Sequence, residues 1–156
     1  MENKKIRNAT PTSYQGIAFK SRLEVMIYKT LVEEGFSPQY EPNRYEIWEK
    51  QEPTIPFYTK GKFKKLNKHL TALSSDVVKD MRPLSAIHYT PDIIFSYKDK
   101  TIFVECKGMV NDVYPYKIRL FRAHLEEYAD KENYEIWEVY TKRQLLTLIK
   151  HLHEES

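Results

Sequence analysis

The chain has a single cysteine, Cys106, in 156 residues. One thiol builds neither an internal disulfide nor a thiolate zinc site, so a reducing compartment is the simpler expectation. The amino-terminal segment MENKKIRNATPTS has no apolar core of the signal-peptide type, and no window approaches the ~20 apolar residues of a membrane span. These absences predict a soluble, cytoplasmic protein that uses no membrane. There is no internal repeat and no low-complexity tract, and although YEIWE occurs at both 45–49 and 134–138, the flanks differ.

Hydrophobic residues make up 41% of the chain, enough to bury one sheet with helices on it. The expectation is a single domain over 1–156. Lys and Arg total 25 against 22 Asp and Glu, a formal charge of +3, too small to name nucleic acid as the partner unless the charge is clustered. It is clustered. The run YTKGKFKKLNKH holds Lys60, Lys62, Lys64, Lys65 and Lys68 with no acidic residue, and KIRLFRAH adds Lys117, Arg119 and Arg122. Such clusters can follow a phosphate backbone by charge without reading bases, although Lys117 and Arg119 also fit the wet face of a helix.

Periodicity predicts a helix from Tyr14 to Glu34 burying Phe19, Leu23, Met26, Ile27 and Leu31, with Ser13 or Ser21 as cap and Gly35 as terminator. A strand or hairpin follows from Tyr40 to Trp48. Residues 50 to 86 are punctuated by Pro53, Pro56, Gly61 and Pro83 and are read as a basic insertion. Within it, one or two short helices would turn Leu66, Leu70 and Leu73 inward. Strands are predicted at His88–Tyr97 and Thr101–Cys106 around a short turn, then a helix over Pro115–Tyr128 burying Leu120, Phe121, Leu125 and Tyr128. A strand at Tyr134–Tyr140 and a helix over Arg143–His153, capped by Thr141, complete the order. The sum is an α/β fold with a central mixed sheet flanked by helices.

Charge inside the strands is the feature that asks for an explanation, since an unpaired buried charge is costly. On Thr101–Cys106 and its exit, Phe103, Glu105 and Lys107 share one face, and Ile102, Val104 and Cys106 the other. A two- to four-residue turn around Asp99 would bring Asp92, directly after Pro91, across from residues 105 to 107. A one-residue slip would turn it to the other face. Two carboxylates ~5 Å apart invite a hard divalent cation such as Mg²⁺, with Mn²⁺ as a substitute, and the Cys106 backbone carbonyl can complete the shell. Lys107 beside them can orient a water or offset developing charge, which is the chemistry of phosphodiester hydrolysis. The same residues also fit a salt bridge from Lys107 to Glu105 or Asp92 at a strand end.

Pro91-Asp92 followed by Glu105-Cys106-Lys107 resembles the PD-(D/E)xK nuclease superfamily, with its restriction-endonuclease-like core. YTPDIIF and IFVECKG are most similar to phage endonuclease I Holliday-junction resolvases and related small phage nucleases. The resemblance covers 14–48 and 88–128 and leaves out 50–86. It implies a metal-dependent DNA endonuclease selective for branched DNA, acting as a homodimer in the host cytoplasm. Its catalytic set would be Glu24, Asp92, Glu105 and Lys107, with the metal held by Asp92, Glu105 and the Cys106 carbonyl, and by the helix-borne Glu24 either directly or through water. Two further readings fit the residues: a transposase- or restriction-type subunit targeted by a partner, and a non-catalytic DNA-binding module.

Overall fold

The computed structural model describes residues 12–61 and 67–155. Along the chain run β1 (Thr12–Tyr14), β2 (Ile17–Phe19), α1 (Arg22–Glu33), β3 (Gln39–Tyr40), β4 (Tyr45–Trp48), β5 (Tyr58–Lys60), β6 (Leu70–Ala72) and β7 (Val77–Asp80). They are followed by β8 (Ile87–Tyr89), β9 (Ile93–Tyr97), β10 (Lys100–Cys106), α2 (Tyr114–Leu125), β11 (Tyr134–Val139) and α3 (Lys142–Glu154). The chain divides into two compact units, one formed by residues 1–45 and 89–156 and the other by residues 46–88.

The first unit is built on a four-stranded sheet in the order β11-β10-β9-β3. β10 pairs antiparallel with β9 and parallel with β11, so the sheet is mixed. A parallel neighbour demands a crossover, and α2 supplies it between β10 and β11. Alternation along β9 and β10 sorts the core into two layers. Ile93, Phe95, Ile102, Val104 and Cys106 join Ile27 and Leu31 of α1 and Leu145, Leu148, Ile149 and Leu152 of α3 in one buried cluster. On the opposite face Phe103 meets Phe121 of α2 with ring centroids 5.4 Å apart, and Tyr45 and Tyr89 close around the same ring at 5.2 and 4.8 Å. The mixed sheet flanked by helices is as the sequence predicts.

α3 matches its pattern closely. Its four predicted apolar residues are buried, and Thr141 and Gln144 close a capping box. α1 is shorter than predicted. Residues before Ser21 form the hairpin β1–β2, because Gln15 and Gly16 adopt φ 50° and 78° and turn the chain. Phe19 is buried as expected, but from a strand, and Ser21 is the cap, accepting from the Glu24 amide at 3.2 Å.

The strand or hairpin predicted over Tyr40–Trp48 is also corrected. β3 joins the central sheet through β9, whereas β4 pairs with β8, because Glu41 at φ 45° and Pro42 interrupt the run. Pro91 likewise breaks the predicted strand 88–97 into β8 and β9. In α2, Leu120 is only half-buried, and Tyr128 lies beyond the helix, 38% exposed.

In the second unit, the described residues form no helix. β5, β7 and β6 make a three-stranded antiparallel sheet, with Leu70 and Val78 buried. Leu73, expected inward, is 58% exposed, because strand alternation and not helical period places it. Leu66 lies outside the described residues.

Candidate metal and phosphodiester site

Asp92 immediately precedes β9, and Glu105 sits near the end of its antiparallel neighbour β10. The register pairs Val104 with Ile93, so the next rung faces Glu105 to Asp92. The two-residue turn that fixes this register is Lys98-Asp99, with Lys98 at φ 56°. The backbone N–H of Asp92 donates to Glu105 Oε1 at 3.4 Å, and that of Cys106 donates to Asp92 Oδ2 at 2.8 Å. Each carboxylate is therefore tied to the other's strand. The position of Asp92 opposite residue 105 is the one the sequence reading requires.

Glu105 is 2% exposed. Burial, the largest cause in both groups, pushes Asp92 up to about 6 and Glu105 up to about 8. The charge on Asp92 adds to the rise of Glu105, while the Cys106 amide and Lys107 act downward on Asp92. Both shifts favour the protonated forms, so the pair keeps its protons to higher pH than ordinary carboxyls do. Tyr89 Oη is buried beside Glu105 with no direct hydrogen bond among the described residues, yet near enough to draw the Glu105 titration downward.

Lys107 Nζ lies 3.5 Å from Glu105 Oε2 and 3.6 Å from the centroid of the Tyr114 ring. The salt-bridge reading is therefore met as well, though the ammonium is shared with an aromatic face. Tyr114 is itself pinned by its hydroxyl, which donates to Glu138 Oε2 at 2.5 Å. Glu138 is the register partner of Glu105 on β11 and stands beside it on the same face. Tyr114 and Glu138 were not singled out from the sequence. Only the parallel pairing of β10 with β11 brings 138 to 105, and no local pattern announces it.

Glu24 is 7% exposed on the first turn of α1. Its Oε2 accepts from the Lys20 amide at 2.9 Å and from Tyr40 Oη at 2.7 Å. Its charge reaches Asp92 and helps raise it, but the ligand atoms of Glu24, Asp92 and Glu105 do not all come within 4.8 Å of one another. Lys20 in turn bonds Glu41 at 2.6 Å, whose amide donates to the Asp92 carbonyl at 2.8 Å. Cys106 faces the core and burial pushes its thiol well up, so its side chain is no ligand candidate.

A second set was missed by sequence reasoning. Glu135, His151 and Glu155 bring ligand atoms within 4.8 Å of one another and can in principle hold a metal. Lys100 already stands among them, bonded to Glu135 at 2.6 Å and to Glu155, while His151 Nε2 lies 3.2 Å from Glu135.

Of the expected DNA-binding residues, Lys60 and Lys68 are exposed in the second unit, and Lys62, Lys64 and Lys65 lie outside the described residues. Lys117, Arg119 and Arg122 do not share one face. At about 100° per residue, Arg119 falls opposite the buried Phe121, and Lys117 is half-buried. Arg122 and Glu138 line a cleft of ≈ 420 Å³ with Ile118, Leu125, Tyr134 and Ile136. That cleft contains none of Asp92, Glu105 and Lys107.

No family model matches the chain, and neither a curated protein nor a solved structure matches it. No helix among the described residues is long and apolar enough to cross a membrane.

Proposed function

We propose that this protein is a metal-dependent endonuclease that hydrolyses DNA phosphodiester bonds, with a restriction-endonuclease-like core. The observation that carries the reading is the β9–β10 register, which sets a half-buried Asp92 and a buried Glu105 face to face and short of positive charge, with one ammonium group beside them. A divalent ion fits this pair because it would replace the proton that burial otherwise forces on it. Asp92, Glu105 and the backbone carbonyl of Cys106 would hold Mg²⁺ or Mn²⁺. Glu24 Oε1, left out of the bonds to Lys20 and Tyr40, would contribute through water. The bound ion would supply Lewis acidity toward a phosphoryl oxygen and an acidified water.

The chain's own groups then have separate tasks. Lys107, held on the Tyr114 ring, offsets negative charge developing on the phosphoryl group. The Cys106 and Asp92 amides keep the carboxylates from turning away. The basic residues Lys60, Lys68, Lys117, Arg119 and Arg122 contribute phosphate contacts, so binding should weaken steeply with salt. Branched DNA as substrate, and two copies making paired cuts, belong to the same proposal and rest on the sequence resemblance.

The test is incubation of a four-way junction, a nicked duplex and single-stranded DNA with native protein and Asp92→Asn, in Mg²⁺ and in Mn²⁺. Cleavage by the native chain, lost in the variant with binding retained, is expected. Equal cleavage by both would overturn the assignment of Asp92, and uniform cutting of all three substrates would overturn structure selectivity.

A further inference from the structure

The three-stranded sheet of the second unit presents two different faces. Pairing of β5, β7 and β6 lines up the cross-strand rows Tyr58–Lys79–Thr71 and Lys60–Val77 on one side. Leu73, whose amide donates to the Val77 carbonyl at 2.9 Å, extends the second row. The other side carries Thr59, Val78, Ala72, Leu70 and Asp80. Their large apolar side chains differ in burial: Val78 is 2% and Leu70 6% exposed, whereas Tyr58 is 54% and Leu73 58% exposed. Alternation thus leaves an aromatic ring and two aliphatic side chains on an open face, although Val78 and Leu70 already satisfy the strands' need to bury one side.

Charge on this face has one sign. Lys60 and Lys79 are its only charged side chains on the three strands, and neither makes an ion pair among the described residues. The one acid on these strands, Asp80, lies on the other side and is held by Arg82 at 2.8 Å. Asp76 sits in the β6–β7 turn, bonded to Ser74 Oγ at 2.9 Å. Lysine is depleted at the centre of protein interfaces, which argues against a second copy or another protein as occupant. A duplex hides its bases and would use the lysines while leaving Tyr58 uncovered. Unpaired bases next to phosphates match both parts of the surface: stacking on the ring and charge pairing with the lysines.

We propose that the open face of the β5–β7–β6 sheet is a binding surface for single-stranded nucleic acid, with Tyr58 as stacking platform and Lys60 and Lys79 as phosphate contacts. It stands independently of the hydrolytic reading. The test measures fluorescence anisotropy of a labelled oligothymidylate of about 12 nucleotides with the full chain in EDTA. The native chain binds it more tightly than a duplex of equal length. Tyr58→Ala weakens binding about 5- to 100-fold, and Tyr58→Phe restores most of it. Lys60→Gln and Lys79→Gln each reduce the salt slope by about 0.7, with melting temperatures unchanged.

Binding in EDTA draws on no bound metal, so a failed cleavage assay leaves this result standing. Absence of binding at micromolar protein, or equal binding by native chain, Tyr58→Ala and Lys79→Gln, overturns the proposal. So does self-association of the native chain that Tyr58→Ala abolishes without affecting oligonucleotide binding.

Discussion

The backbone N–H of Asp92 donates to the side chain of Glu105 at 3.4 Å, while the backbone N–H following Glu105 donates to the side chain of Asp92 at 2.8 Å. This reciprocal exchange holds a half-buried and a buried acid together against their mutual repulsion, and it has a consequence for stability. Both groups are raised in the folded chain, so the native state binds more protons than the unfolded one across the neutral range. The stabilisation is complete below about pH 4 and is lost as pH climbs through about 6 and then about 8.

Chemical denaturation of the chelator-treated protein should therefore show stability from this pair falling between pH 5 and 8.5, on the order of a few kcal/mol. Asp92→Asn should flatten the fall, and millimolar Mg²⁺ should reverse it at the alkaline end by the usual linkage of binding to folding. A pair contribution that rises over the same range would contradict the shared-proton geometry.

Lys107 rests on the Tyr114 ring, so its position depends on an aromatic face and not only on Glu105. Lys107→Met should lower single-turnover cleavage by about 10² or more with DNA affinity little changed. Tyr114→Leu should lower it about tenfold, whereas Tyr114→Phe, which keeps the ring, should stay near native. Similar losses for the Phe and Leu variants would move the role from the ring to the hydroxyl and Glu138.

Glu24 accepts from Tyr40 Oη and the Lys20 amide on one oxygen. Tyr40→Phe should destabilise the fold by about 1 to 2 kcal/mol, since a buried charged acceptor loses a donor. Cleavage should persist, because the oxygen facing away from Tyr40 is unaffected. Thermal melting and a cleavage assay on the same preparation separate the two effects.

At the Glu135 cluster, burial acts upward, but hydrogen bonds from Lys100, Trp137 and His151 bring Glu135 down to about 2. Its contribution is present above about pH 4.5 and is lost as pH falls toward 2. Glu135→Gln should cost about 1 to 2 kcal/mol at pH 7 and progressively less as pH falls toward 2, as read from denaturation midpoints. A divalent ion competing for Glu135, His151 and Glu155 must displace the ammonium, so Lys100→Met should tighten zinc binding in calorimetry.

Much of this architecture is legible in the sequence wherever an element is long enough to display its period. α3 reads correctly because four apolar residues and a Thr-x-x-Gln cap agree. Asp92 falls opposite Glu105 because a two-residue turn fixes the pairing of β9 with β10, a register the sequence leaves open by one residue. What fails is short. Strands of three or four residues, such as β1, β2 and β5 to β7, have too few positions to distinguish alternation from helical spacing, so residues 14–20 and 70–80 mislead. The long-range neighbours fail for another reason. Tyr114 and Glu138 meet Lys107 and Glu105 only after the β10–α2–β11 crossover closes, and Lys100 reaches Glu155 across the chain's end.

Asp92 and Glu105 are 13 residues apart, on the two arms of a single hairpin. Their encounter needs only a short loop closure, with a far smaller entropy cost than a contact between distant parts of the chain. The pair can therefore form early in folding and is set by local sequence alone. A chain organised this way is free to rebuild the segment between Tyr45 and Tyr89 generation after generation while its two acids keep their relative position.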